Sequence, residues 1–189
     1  MLALIKRYSG DKKQAKQVVK TSRSLFEQVK EKLGLSTEDG DLLRRAASLH
    51  EIGLAIAHSG YHKHSAYLVE YSDIPGFSQV DQKRMAQLML NHRRKLKADM
   101  LEQACIIGGD SLVYLCLLLR LAVLAHHSRS EHELPKLGLK VIDNNRWQIT
   151  VGESSEHYTF LLSDLHTEIE QFAKWGVKLD VVDGSVIEA

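Results

Sequence analysis

Five of the ten histidines in this 189-residue chain fall between positions 50 and 92, beside a carboxylate and a run of cations. They are His50, followed by Glu51; His58, His62 and His64, in His58-Ser59-Gly60-Tyr61-His62-Lys63-His64; and His92, in Asn91-His92-Arg93-Arg94-Lys95. Imidazoles gathered round a carboxylate can hold a divalent metal, and imidazoles with arginines can equally neutralise a polyanion. Guanidinium forks match phosphate oxygens two at a time, and a row of such donors suits a polymer of phosphates better than one small ion. Arg93, Arg94, Lys95 and Lys97 leave one helix end, and His58, His62, Lys63 and His64 are expected on the loop after another. The bland alternative is a solvated basic helix end that complements the helix dipole. Nucleic acid is not the expected partner, because stacking platforms need aromatics among the cations and only Tyr61 and Tyr67 are near.

Other catalytic patterns fail. Gly108-Gly109-Asp110 lacks the Lys and Ser/Thr of a phosphate-cradling loop, and no GxSxG or HExxH run occurs. Cys105 and Cys116, eleven positions apart among apolar residues, are expected to be reduced packing residues, which points to a reducing compartment. The chain is expected to be soluble and cytoplasmic. Met1 to Gly10 carries no signal-peptide pattern, and the apolar stretch Leu112 to Ala125 is 14 residues, interrupted by Arg120, where a bilayer span needs about 20. Charge is uneven: Met1 to Ala125 holds 19 Lys and Arg against 13 Asp and Glu, and the remainder 6 against 11. A basic first part is a weak pointer to an anionic partner.

The elements that must position the cluster are mostly helices, since two prolines in 189 residues leave long runs unbroken. Asp11 caps a helix that Gly34 ends, and a second runs from about Asp41 to Ala57. A short helix spans Ser65 to Tyr71, and Ser78 caps another that ends in His92-Arg93-Arg94-Lys95. Asp110 opens the long Leu112 to Ala125 helix. Past His127 the pattern changes to β-rich runs, Leu139 to Ile142 and Trp147 to Val151, joined by an Asp143-Asn144-Asn145-Arg146 turn. Tyr158 to Leu161 reads as a third strand, Ser163 to Trp175 as a helix, and Val177 to Val182 as a final strand. Trp147 and Trp175 are expected core anchors, and Tyr61 and Tyr67 packing residues with a polar tip. The fold class is therefore mainly α: a helical domain over 1–127, then a small α+β domain over 128–189.

Leu49-His50-Glu51-Ile52-Gly53 resembles the His-Asp signature of HD-type metal phosphohydrolases. It departs at the ligands: Glu51 replaces Asp, no histidine precedes His50, and Ser111 to Ala125 holds no Asp. His50 and Glu51 remain weak metal candidates, and the simpler expectation is that they close the second helix by bonding neighbouring groups. A longer run is more specific. Ala46 to Gly53, His58 to Tyr67, Ser72-Asp73-Ile74-Pro75-Gly76-Phe77, Asn91 to Arg94 and Leu118 to Ala122, in that order, are similar to the C-terminal half of the exopolyphosphatase and guanosine pentaphosphate phosphatase family, with the His58 to His64 run closer to the exopolyphosphatase form.

That resemblance implies a C-terminal region that binds inorganic polyphosphate and forms a homodimer. Catalysis would belong to N-terminal actin-like domains, absent here, which use magnesium and release orthophosphate from polyphosphate ends. This chain alone would be inactive, with no cofactor or catalytic residue of its own. His58, His62, His64, Arg93 and Arg94 would line the polyphosphate channel. Three alternatives stay open: the C-terminal region of a guanosine pentaphosphate phosphatase, a stand-alone metal-dependent phosphohydrolase built on His50 and Glu51, and a purely structural dimerisation module.

Overall fold

The computed structural model of the chain describes residues 11–129, 136–152 and 157–183. The expectation about a leader in Met1 to Gly10 lies outside those residues. The first helix among the described residues, α1 (Lys12–Leu33), starts where the Asp11 carboxylate accepts the Lys13 and Gln14 amides, and stops at Gly34, whose φ of 63° lets the chain turn back. Next, α2 (Thr37–Leu49) starts on a reciprocal capping box between Ser36 and Asp39. It ends eight residues short of the expected limit, and a 3-10 turn (Ile52–Ala55) follows. Gly53 shows why: a Cβ there would lie 2.2 Å from the Tyr61 carbonyl oxygen, so backbone meets backbone. Ser65 locks the approach, its hydroxyl accepting the Gly53 amide and donating to the His50 carbonyl, both at 2.9 Å.

The helix α3 (Tyr61–Tyr71) begins earlier than the expected Ser65, after Gly60 at φ 68°. His62, Lys63 and His64 are therefore helical, and not on a loop. Tyr61 is buried as expected, but Tyr67 is 62% exposed and stacks on exposed Tyr71. Capped by Ser78, α4 (Gln79–Asn91) leads through a short segment to α5 (Ala98–Ala125), which breaks its helical geometry at Gly109. Asp110 thus follows a kink inside one longer element. The part of α5 before the kink is only partly covered, which leaves Cys105 exposed where burial was expected; Cys116, past the kink, is buried and its thiol pKa is pushed up by desolvation. By length and composition α5 could cross a membrane, yet 61% of its apolar window is packed inside the fold.

The strands β1 (Leu137–Asp143) and β2 (Arg146–Val151) pair antiparallel around Asn144-Asn145, and β3 (Lys178–Asp183) lies parallel to β2 on its other side. Between β2 and β3 runs α6 (His157–Lys174), so the segment expected as a third strand is helical. Buried Leu161, Leu165, Glu168 and Phe172 recur at three- and four-residue spacing, a period that a strand cannot present to one side. Trp147 fills the sheet's inner face between Tyr114 of α5 and Phe172 of α6, with ring centroids 5.8 and 6.0 Å away. On α1, the Gln28 carboxamide accepts the Leu139 amide at 2.7 Å and donates to the Leu137 carbonyl, covering the β1 edge. One buried apolar cluster runs from Val18 to Leu179 across helices and sheet, so the architecture is mainly α with a small α+β region after it.

Candidate functional site

Two helices end in the same way. His50 follows the last residue of α2 and His92 the last residue of α4; each Nδ1 lies against the carbonyl three residues back, Ala47 at 2.7 Å and Met89 at 2.6 Å. A carbonyl only accepts, so each Nδ1 carries the proton and each Nε2 is left with a bare lone pair. Neither Nε2 has a partner among the described residues, and both rings are almost wholly buried, 5.5 Å apart between centroids and nearly perpendicular. From the first turn of α3, His62 brings an unpartnered Nδ1, with its ring 6.4 Å from that of His92. Tyr61 lies 5.7 Å from His92 and 6.4 Å from both His62 and His58. The Arg93 guanidinium sits 4.4 Å above the Tyr61 ring, a cation–π contact.

Opposite charge enters at Glu51. Its Oε1 accepts from Arg129 at 2.6 Å and stands 4.0 Å from the His50 Nε2, while its Oε2 is buried without a partner. Arg129 also reaches Asp11 at 3.6 Å. Burial raises the Glu51 pKa, and Arg129 opposes that rise. Desolvation lowers His50 and His62 to about 4, with Arg93 adding to the effect on both. His92 goes well below its ordinary value for the same reason, with His50 the next cause. At neutral pH the site is thus a set of uncharged imidazoles beside cations.

Of the residues expected at a site, His50, Glu51, His62 and Arg93 converge, and His58 stands at the edge against Tyr61. Exposed Arg94, with φ 69°, and half-buried His64 contribute to the positive field felt by His62 but touch none of these rings. The sequence placed His92 and Tyr61 in the histidine-rich cluster but gave neither a role at the site, and it missed Arg129 and Asp11 as members. His92 stands at the C-terminus of α4 as His50 stands at that of α2; Arg129 and Asp11 arrive only through tertiary packing. Among the described residues no three His, Cys, Asp or Glu side chains are placed to share a metal ion, and Glu51 is engaged by arginine. The donor set does not fit an HD-type metal centre.

Arg93, Arg94, Lys63, Lys95 and Lys97 have no carboxylate within ion-pair distance among the described residues, so their positive charge is unneutralised there. A cavity of about 430 Å³ lies elsewhere, between α1 and α2, lined by paired charges such as Glu27 with Lys30 and Asp41 with Arg44.

Comparison with known proteins gives this arrangement a family. Residues 1–169 match the model of Ppx/GppA phosphatase, domain III. Three relatives carry the name guanosine-5'-triphosphate,3'-diphosphate pyrophosphatase. That of Aeromonas hydrophila is 33% identical over 177 residues, 92% of this chain and 35% of the relative. That of Pseudoalteromonas translucida is 34% identical over 180 residues, 94% and 36%. That of Aeromonas salmonicida is 32% identical over 177 residues, 92% and 35%. The chain therefore spans about a third of the length of these relatives. With a family model covering most of its length and an order of motifs to match, the chain belongs to the Ppx/GppA phosphatases, as their domain III.

Proposed function

We propose that this chain is the C-terminal anion-binding region of a phosphatase acting on guanosine 5'-triphosphate 3'-diphosphate, and that it holds the phosphate-rich part of that ligand on the Arg93 and Arg94 face. The observation that carries the reading is that Arg93, held over the Tyr61 ring beside neutral imidazoles, and exposed Arg94 have no carboxylate within ion-pair distance among the described residues. Two guanidinium groups can meet several phosphate oxygens at once, and the neutral buried histidines beside Arg93 add no competing charge. The relatives' names support the guanosine ligand over the exopolyphosphatase form toward which the His58 to His64 run leans. Bond cleavage is assigned to the catalytic portion of the whole enzyme, with magnesium there, and homodimer formation and a cytoplasmic setting belong to the same proposal.

Inorganic polyphosphate is the second reading. Lys63 and His64 in α3, and Arg93, Arg94, Lys95 and Lys97 after α4, carry no dedicated carboxylates among the described residues, which suits a repeating anion with no base to recognise. Titration of the chain with guanosine 5'-triphosphate 3'-diphosphate and, separately, with long-chain polyphosphate separates the two. The expected result is salt-dependent binding of the guanosine ligand, weakened about tenfold by Arg93→Ala. Equal affinity for both ligands would favour the second reading. Binding of neither, or orthophosphate release by the chain alone, would overturn the proposal.

A further inference from the structure

The basic segment after α4 does not hold itself in place. Arg94 takes a left-handed backbone conformation, φ 69°, that side chains other than glycine adopt at a cost, so something must fix it. Three residues on one face of α6 and its end are placed to do so. Glu168, buried, receives the Arg120 guanidinium on both carboxylate oxygens. The same guanidinium donates to the Asn91 carbonyl at 3.2 Å and to the Arg94 carbonyl. One turn on, buried Gln171 accepts the Leu96 amide at 2.9 Å through its Oε1. Trp175, four residues further and also buried, donates its indole N–H to the Lys97 carbonyl at 3.2 Å. The spacing of 168, 171 and 175 puts all three on one helical stripe.

We infer that α6 is a positioning clamp for the anion-binding face: Glu168 through Arg120, with Gln171 and Trp175, sets the backbone of 91–97 so that Arg93 lies over Tyr61 and Arg94 faces solvent. The inference rests on the proposed anion site and deepens it. No residue of the clamp touches the ligand. Each acts on a carbonyl or an amide, so the three select the conformation in which the two guanidinium groups are presented together. Binding on this face and docking of α6 are then linked, each favouring the other by the same factor.

The test uses the full chain and inorganic tripolyphosphate as probe. Gln171→Met keeps the bulk of the side chain and removes the acceptor for Leu96. Gln171→Glu keeps an acceptor oxygen, and its added charge meets Lys174, whose Nζ lies 3.3 Å from the Gln171 Oε1. Gln171→Met is expected to weaken tripolyphosphate binding about three- to tenfold and to speed amide exchange at Leu96, with Gln171→Glu within about twofold of the parent in both. A merely structural role would lower the melting temperature of Gln171→Met and leave the affinity of the folded protein unchanged; that outcome overturns the inference, as does a fall in Gln171→Glu equal to that in Gln171→Met. Arg93→Ala separates the two levels. If it leaves tripolyphosphate binding intact, the anion-site reading fails, and unchanged Leu96 exchange in Gln171→Met would separately remove the clamp.

Discussion

Two buried polar clusters flank the segment from Asn91 to Lys97, and they are built on opposite terms. Around Arg120 every guanidinium nitrogen has an acceptor: both oxygens of Glu168, the Asn91 carbonyl and the Arg94 carbonyl. Around His50 and His92 four buried polar atoms, two Nε2 atoms, the His62 Nδ1 and the Glu51 Oε2, have no hydrogen-bond partner among the described residues. A satisfied network rigidifies; a half-satisfied one costs stability and is retained where it does something else. The first cluster therefore reads as architecture and the second as the place to seek function.

The sharpest way to break that comparison is to unpair the satisfied cluster. Arg120→Met leaves the Glu168 carboxylate buried without its partner and is expected to cost about 3–5 kcal/mol in chemical denaturation. Adding Glu168→Leu should recover most of that loss; if it does not, the pair is more than a mutual neutraliser. Next in size is Gly53→Ala, which forces a Cβ against the Tyr61 carbonyl and separates α3 from the turn carrying His50 and Glu51. A loss of about 1–3 kcal/mol is expected, and a neutral result would mean the two backbones are not in contact.

Acid probes the imidazole cluster directly. His50 and His62 have folded-state pKa values lowered to about 4, chiefly by burial, and burial also holds His92 well below its ordinary value. Between that value and the ordinary histidine range the unfolded chain binds more protons than the folded one, so stability falls as pH drops through this window and is retained above it. His92→Phe, which keeps a ring but cannot titrate, should lessen the fall between pH 7 and pH 5 in thermal or urea unfolding, because one group fewer takes up a proton on unfolding. An unaltered pH slope would place the titration in other groups. Smallest of all, Tyr67→Ser should change stability by no more than about 0.5 kcal/mol, because its ring is exposed on the outer side of α3. A larger loss would show that the stacked Tyr67 and Tyr71 rings carry packing energy.

Much of the helical frame was legible in advance, for local reasons. Asp11 and Gly34 bracket α1, Ser78 opens α4, and the β1–β2 turn stands at Asn144-Asn145, since caps and turns depend on residues within a few positions of each other. The misses share a cause. Tyr158 to Leu161 resembles a strand until Leu165, Glu168 and Phe172 show which side is buried. His62 and His64 look like loop residues until Tyr61 is seen to pack on Gly53 and start a helix.

At the site, the sequence by itself determined that histidines, a carboxylate and arginines of the right types were present, and it determined the family through the order of its motifs. Only the tertiary structure decided that His92 faces His50, that Arg129 reaches Glu51 across 78 positions of chain, and that α6 grips the basic segment from the far end of the sequence. Residue identity and neighbouring residues set a side chain's chemistry and its local backbone, whereas the partners that tune or restrain it are chosen by how distant elements pack, and short-range pattern carries no record of that choice.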